Sequence, residues 1–381
     1  MTKLGNICNI LNGYAFKSEK YVDSGIRVIR ITNVQKGYIE DSEPKFYSFD
    51  YADELSRYIL ENGDLLMSLT GNVGRVGVLS EKFLPAALNQ RVACLRLKDN
   101  EIFKPFLFHF LNSDYFEQMC INASKGIAQK NLSTEWLKDV YIPDYSAEQQ
   151  EQIADTLDKV THTIDTCNAI LEKLDLLVKS RFIEMFGNPI SNSHNLPLKT
   201  LPELGELGRG VSKHRPRNAP ELLGGKYPLI QTGDVANANL YIYVYNATYS
   251  EIGFKQSKMW NKGTLCITIA ANIAKTAILT FDSCFPDSVV GFNANDKTNN
   301  IFIHYWFSFF QAILEEQAPE SAQKNINLKI LSELKVIVPP IALQEQFADF
   351  VEQTDKSKLA VKQVLEKAET LKRALMQENF G

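Results

Sequence analysis

Asn62-Gly63-Asp64-Leu65 runs on into Thr70-Gly71-Asn72-Val73-Gly74-Arg75, and Lys262-Gly263-Thr264-Leu265 runs on into Ala270-Ala271-Asn272-Ile273-Ala274-Lys275. The two stretches stand 263 − 63 = 200 positions apart, a spacing kept from Gly63 and Gly263 to Leu79 and Leu279. A second block repeats at 322 − 128 = 194. It pairs Ala128-Gln129-Lys130-Asn131-Leu132 with Ala322-Gln323-Lys324-Asn325-Ile326, and Glu151-Gln152-Ile153-Ala154 with Glu345-Gln346-Phe347-Ala348. Solenoid repeats have periods of roughly 20–50 residues. The chain therefore reads as one domain written twice, carrying two similar binding surfaces.

Outward from these blocks, each copy shows short β-like runs. In the first they are Ile26–Ile31 and 64–69, both roughly alternating, then Val76–Leu79 and Val92–Leu97. In the second they are Pro228–Ile230, Leu265–Ile269 and Ala277–Leu279. A helix is expected over Pro105–Met119, with Phe106, Phe110, Leu111 and Tyr115 on one face, and another over Ile301–Leu314. Phe106, Phe108, Phe110, Tyr305, Trp306 and Phe309 read as core at this spacing, not as base-stacking platforms. Ile142-Pro143 and Val338-Pro339-Pro340 close the two copies, since proline ends both ladders and helices.

Each copy is followed by a heptad helix. Ile153, Leu157, Val160, Ile164, Cys167, Leu171, Leu174 and Val178 step alternately by four and three, a full a/d seam. Phe347, Val351, Thr354, Lys358, Val361, Leu365 and Ala368 step in the same way, with a polar middle. Such a stripe needs a partner, and a ~40-residue helix is about 60 Å long. The expected fold is α+β: two similar, β-rich recognition domains joined by two long helices in an antiparallel coiled coil, with pseudo-twofold internal symmetry. The expected boundaries are 1–145, 146–187, 188–340 and 341–381.

The chain has 381 residues, 45% hydrophobic and 23% charged, with a net charge of −4. Both halves can bury a core. Residues 146–187 hold 4 basic against 8 acidic side chains, so the acid sits mostly in the first helix and the domains are near neutral. A generic basic nucleic-acid binder is excluded, and DNA contact would rest on local patches. The six cysteines form no CxxC pair and read as reduced, partly buried thiols; no signal peptide or membrane span is expected, and the compartment is expected to be cytoplasmic. The scattered histidines offer no metal-ligand spacing; His162, His194 and His214 read as surface residues. Gly71-Asn72-Val73-Gly74-Arg75-Val76-Gly77 lacks the dinucleotide spacing and its glycines are not kept in the second copy. Asn188-Pro189 lacks the aromatic of an amino-methyltransferase site, and no nucleophile triad can be argued from the spacing. No catalytic residue and no metal site are expected.

The doubled domain, the heptad helix after each copy and certain motifs converge. These are Glu151-Gln152-Ile153-Ala154, Leu343-Gln344-Glu345-Gln346-Phe347, Met185-Phe186-Gly187-Asn188-Pro189, Leu88-Asn89-Gln90-Arg91-Val92, Phe285-Pro286-Asp287-Ser288-Val289-Val290 and Gly126-Ile127-Ala128-Gln129-Lys130-Asn131. Over essentially its whole length the chain resembles the specificity (S) subunit of type I restriction-modification systems. The resemblance implies two target recognition domains, each reading half of a bipartite DNA sequence. It implies helices that set the spacer and dock two methyltransferase subunits. S-adenosylmethionine would belong to those subunits, ATP and Mg to restriction subunits, and no cofactor to this chain. The match is not uniform: Pro319-Glu320-Ser321 stands where the first copy has Lys125-Gly126-Ile127, so the two domains are expected to dock slightly differently. The alternatives are a scaffold joining two partners or a self-sufficient methyltransferase or nuclease.

Candidate DNA contacts follow, each with a plainer reading. Asn72, Arg75, Asn272 and Lys275 suit phosphate positioning, or are turn residues with a solvated cation. Gln129, Lys130 and Asn131, with Gln323, Lys324 and Asn325, repeat three polar residues in both copies, beyond what a loop needs, although Asn131 could cap a helix; Lys125 is a further candidate beside them. Thr32, Asn33 and Gln35, with Gln231, Thr232 and Asp234, could read bases, or form an Asx-type turn. Asn89, Gln90 and Arg91 are either contacts or a hydrogen-bonded strand edge. Glu148, Gln149, Gln150 and Glu151, with Gln344 and Glu345, could meet the methyltransferase subunits, or simply favour a helix N-terminus.

Overall fold

The structure, a computed structural model, describes residues 2–98, 102–124, 132–270, 272–317 and 326–381. It divides into two compact units, Met1–Asn168 with Lys362–Gly381, and Ala169–Val361.

In the first unit, Cys8–Asn12, Val92–Leu97, Leu65–Ser68 and Val76–Val78 form an antiparallel sheet in that order. A smaller sheet orders Phe46–Tyr47, Ile26–Ile29 and Ala86–Leu88. The second unit repeats the plan. Gly205–Arg209, Val289–Ala294, Leu265–Thr268 and Thr276–Leu279 form the main sheet, extended by Tyr241–Ile242 in parallel. Ala247–Tyr249, Leu223–Leu229, Ser283–Cys284 and Met259–Trp260 form the smaller one. The registers agree: Leu65 stands opposite Leu95 and Val78, and Leu265 opposite Phe292 and Ile278.

The central strands explain why alternation is weak in the sequence. Leu65–Ser68 and Leu265–Thr268 are buried at every position. Leu65 and Met67 point into one core while Leu66 enters another. Leu265 and Ile267 pack likewise in one core, and Cys266 in another. A strand covered on both faces has no polar side to show.

Two expectations change. The run Ile26–Ile31 stops as strand at Ile29, and Ile31–Asn33 is a 3₁₀ turn. The helix expected over Pro105–Met119 is two helices, Lys104–Leu111 and Asp114–Ala123. Ser113 breaks it: its hydroxyl donates to Phe110 O (2.7 Å) and accepts from Phe116 N (3.1 Å), an N-cap that starts a new helix. Tyr115 consequently lies 49% exposed, off the buried face that holds Phe106, Phe110 and Leu111. In the second unit the aromatic helix is continuous, Asn300–Gln317.

The long helices are Ala147–Phe186 and Ile341–Phe380. Every predicted seam position in both is buried or half-buried. In the second unit, Asp175 meets Lys358 and Phe182 meets Phe347, so rising numbers on one helix face falling numbers on the other, which makes the pair antiparallel. Phe182 also packs on Phe186 and Phe302. In the first unit Ala154 and Leu157 share a core with Phe380, whose ring lies 5.4 Å from Phe106. The first helix ends at Phe186 because Gly187 adopts φ 74, the left-handed C-terminal position that favours glycine.

One buried amide fastens each domain to the start of its following helix. Gln150 accepts from Phe103 N (2.9 Å) and donates to Tyr145 O (2.9 Å). Gln344 accepts from the Thr298 hydroxyl (2.8 Å) and Asn299 N (3.2 Å), and donates to Lys297 O (3.1 Å) and Pro339 O (2.9 Å). Gln150 is 7% exposed and Gln344 0%. Buried and bonded within the fold, neither side chain is presented to a partner. The two repeated glutamines therefore serve domain docking, and, contrary to expectation, neither is exposed for contact with a methyltransferase subunit. Glu148, Gln149, Glu151 and Glu345 remain exposed.

Candidate nucleic-acid interface

In the first unit, three separate segments meet on one concave surface. One cleft, about 330 Å³, is lined by Ile31, Thr32, Val34, Gln35, Gly71, Asn72 and Arg75. A second, about 420 Å³, is lined by Phe16, Ser18, Tyr21, Arg30, Ile31, Thr32, Asn89, Gln90 and Arg91. Ile31 and Thr32 belong to both, so the clefts adjoin. Residues predicted from segments up to 59 positions apart (32 to 91) thus come together.

The loop bearing Asn72 and Arg75 is fastened by Ser68. Its hydroxyl donates to Asn72 O (2.5 Å) and accepts from Arg75 N (3.1 Å), while Gly74 turns the chain at φ 85. The Arg75 guanidinium donates to Gln35 Oε1 (2.6 Å), and Gln35 Nε2 donates to Thr32 O (3.0 Å). This chain of bonds orients an amide and a cation while leaving further guanidinium donors for a ligand. Asn89 Oδ1 accepts from Arg91 N (3.1 Å), leaving its amide NH₂ and the exposed Gln90 and Arg91 side chains at the cleft.

The same loop recurs in the second unit. The Thr268 hydroxyl donates to Asn272 O and accepts from Lys275 N (3.1 Å), and Ala274 takes the left-handed turn at φ 57. Asn272 is exposed and Lys275 half-buried. A hydroxyl at the end of the central strand therefore sets both loops, whatever their side chains.

Asn33 and Asp234 behave differently from expectation. Asn33 is 3% exposed; its Oδ1 accepts from Arg30 N (2.8 Å) and its Nδ2 donates to Glu40 O and Asp41 Oδ1. Asp234 accepts from Gln231 N (2.8 Å) through one oxygen and from Asn246 Nδ2 (2.8 Å) through the other. Both are N-capping groups at the same point of the fold, the turn reading rather than base readout. Gln231 joins that capping box, and Thr232 is half-buried on its short helix. Lys125, Gln129, Lys130, Asn131, Gln323, Lys324 and Asn325 lie outside the described residues.

A further group escaped the sequence reading. Arg215 lies 3.3 Å from Asp287 Oδ2, Arg217 pairs with Asp287 Oδ1, and Arg209 donates to the Asp287 carbonyl. The available signal was the basic run Arg209, Lys213, Arg215, Arg217 in a near-neutral domain. The six cysteines are buried; burial pushes the Cys8 and Cys120 thiols up to about 12 and raises those of Cys94, Cys266 and Cys284, which makes them poor nucleophiles. Among the described residues no His, Cys, Asp and Glu group has metal-site geometry, and no helix is long and apolar enough to cross a membrane.

A sheet-built domain written twice, with a long helix after each copy and a polar cleft at the strand ends of the first unit, defines a modular recognition protein. The family described as type I restriction modification DNA specificity domain matches residues 1–176 and again 198–371, and the chain belongs to it. A specificity subunit of the type I restriction enzyme MjaVIII from Methanocaldococcus jannaschii is 29% identical over 169 residues, 43% of this chain but only 40% of that relative. The EcoBI specificity subunit of Escherichia coli is 25% identical over 414 aligned positions, covering 99% of this chain and 84% of the relative. The crystal structure of an S subunit from M. genitalium shares the fold, with TM-score 0.63 at 15% identity over 100% of this chain and 95% of that one.

Proposed function

We propose that this chain is the DNA-specificity subunit of a type I restriction-modification assembly. Each domain reads one half of a bipartite duplex target, and the chain performs no chemistry itself. The observation that carries the reading is the continuous cleft of the first unit, where Thr32, Gln35, Asn72, Arg75, Asn89, Gln90 and Arg91 converge from three segments. Amides suit adenine edges, and arginines suit guanine or phosphate. Asn272 and Lys275 are the corresponding contacts of the second domain, and Lys125, Gln129, Lys130, Asn131, Gln323, Lys324 and Asn325 are kept as further candidates.

The boundaries 1–145, 146–187, 188–340 and 341–381 are proposed as recognition domain, helix, recognition domain, helix. The helices set the unspecified spacer and dock two methyltransferase subunits, with Glu148, Gln149, Glu151 and Glu345 at that contact. Those subunits bring S-adenosylmethionine and flip an adenine from each half-site; restriction subunits bring ATP and Mg.

Methylome sequencing tests this. A methylation-free host carrying the chain with its methyltransferase subunit should show N6-methyladenine in both halves of one split motif, and the methyltransferase alone should not. A stable complex that leaves the genome unmethylated would sink the reading.

A further inference from the structure

No acidic residue lies between Glu206 and Glu221, a stretch that holds Arg209, Lys213, Arg215 and Arg217. Strand register shows where this stretch sits. Asn12 pairs with Ala93 in the first unit, and Arg209 pairs with Val290 in the second. The next residue is glycine in both. A Cβ on Gly13 would lie 2.2 Å from the Asn89 carbonyl, and one on Gly210 would lie 2.3 Å from the Pro286 carbonyl. Leu69 N donates to Arg91 O (3.0 Å), and Ile269 N donates to Ser288 O (3.0 Å). Asn89-Gln90-Arg91 and Pro286-Asp287-Ser288 therefore occupy the same place, with Asp287 where the first domain has Gln90. In the first unit the chain after the glycine supplies Phe16, Ser18 and Tyr21 to the cleft wall facing Asn89–Arg91. In the second unit that chain is Lys213–Arg217.

We propose that Arg215 and Arg217, held by Asp287, are a guanine-reading fork of the second domain. This rests on the DNA-specificity reading above and names residues and a base for it. A guanidinium presents paired donors that match guanine O6 and N7, the commonest specific contact in the major groove. Its value depends on being held, because a free arginine must be ordered on binding. Asp287 holds both guanidiniums, and Arg209 fixes the Asp287 main chain. The side chains of Arg215 and Arg217 remain 54% and 45% exposed. Arg215 Nη1 also donates to Ser212 O (2.6 Å) and His214 O (2.8 Å), which further fixes the guanidinium and leaves Nε and the second Nη2 hydrogen of Arg215, with the Arg217 donors not spent on the carboxylate, for a base. Two plainer roles fit less well. A phosphate clamp is weakened by a carboxylate at its centre, since affinity for phosphate follows net positive charge. Exposed ion pairs stabilise a fold by only about 0–1 kcal/mol, which gives no reason to gather three arginines on one residue. Asp287 is a positioning residue, and the two arginines are the readers.

The test uses the full chain with its methyltransferase subunits in a methylation-free host. Wild type, Arg215→Lys, Arg217→Lys and Asp287→Asn are compared by their methylation motifs. Lysine keeps the charge and the fold but loses the fork. Each variant should relax a guanine preference about tenfold or more at one or two positions of one half-site, with the other half unchanged. In parallel, wild-type complex should bind several-fold more weakly to DNA carrying 7-deazaguanine at those positions, an experiment that needs no variant. Motifs unaltered by the variants, methylation weakened equally on all sequences, or half-sites without a G·C pair would overturn the fork alone. A wild-type chain giving no split motif would overturn the parent reading and the fork together.

Discussion

Lys358 Nζ lies 2.5 Å from Asp175 Oδ1 across the helix pair of the second unit, and the lysine side chain is 9% exposed while the aspartate is 66% exposed. The lysine occupies a seam position where the heptad pattern calls for an apolar residue. Its methylenes fill the seam, and its ammonium reaches the rim to meet the carboxylate. A slip of register would part that ammonium from Asp175, so the pair favours this alignment more than it adds stability.

Lys358→Leu should therefore leave the thermal stability unchanged or raise it by up to about 1 kcal/mol, whereas Asp175→Ala should lower it by about 1 kcal/mol or more, since the buried charge loses its partner. Differential scanning calorimetry checks both. A strongly destabilised Lys358→Leu chain would show that the pair is a stability element instead.

The docking amides should be costly to remove. Gln344→Ala orphans four hydrogen-bonding groups. Stability should fall by about 3 kcal/mol, and by about 2 kcal/mol for Gln150→Ala with two bonds, on ~1–3 kcal/mol for leaving buried polar groups unpaired. Urea unfolding measures this. Losses under about 0.5 kcal/mol would mean water replaces the amides easily.

Acid should weaken the second unit through His304. Burial lowers its pKa from 6.5 to about 4, with Thr276 opposing that shift, and Thr276 Oγ1 lies 2.9 Å from the imidazole Nδ1. The unfolded chain takes up the proton first, so this contribution is whole above pH 6.5 and is lost as pH falls towards 4. The loss is up to about 3 kcal/mol at ~1.4 kcal/mol per pKa unit. His304→Gln should flatten stability against pH in that window. An unchanged slope would assign the acid sensitivity elsewhere, His109 being the first alternative because burial lowers its pKa against the opposing pull of Asp158.

Arg75→Ala should separate anchoring from reading. If Arg75 meets phosphate, binding weakens on every sequence and the slope of log K against log salt shrinks by about 1. Ser68→Ala, which frees the Asn72–Arg75 loop, should weaken binding several-fold at a stability cost of about 1 kcal/mol. Fluorescence anisotropy across a salt series distinguishes them; a Ser68→Ala complex with unaltered affinity would mean the loop needs no staple.

Periodicity made the helices legible: seam positions from Ile153 to Val178 and from Phe347 to Ala368 are buried or half-buried as read. The repeat at Gly63 and Gly263 likewise exposed the doubled sheet. What periodicity could not show was the identity of single polar side chains. Gln344 and Glu345 are adjacent and look alike in sequence, yet one is sealed in a four-bond socket and the other exposed, because a helix turns ~100° per residue and the socket belongs to a loop 46 positions away. Ser113 was missed as a helix break for the opposite reason: one hydroxyl overrode an apolar pattern that ran through it. The arginines around Asp287 were missed because no repeat marks them: counted from Gly13 and Gly210, Arg215 and Arg217 stand where the first copy has Ser18 and Lys20.

Sheet order and loop fastening are shared by both copies, while the residue at one matched place is Gln90 in the first and Asp287 in the second. A protein assembled from two identical chains cannot make that distinction, since each mutation is imposed on both halves and the preferred sequence must be a palindrome. Joining the copies end to end removes the constraint. Each half can drift, gain or lose a preference while the other goes on working, and the repertoire of combined targets grows as the product of what the two halves can separately learn.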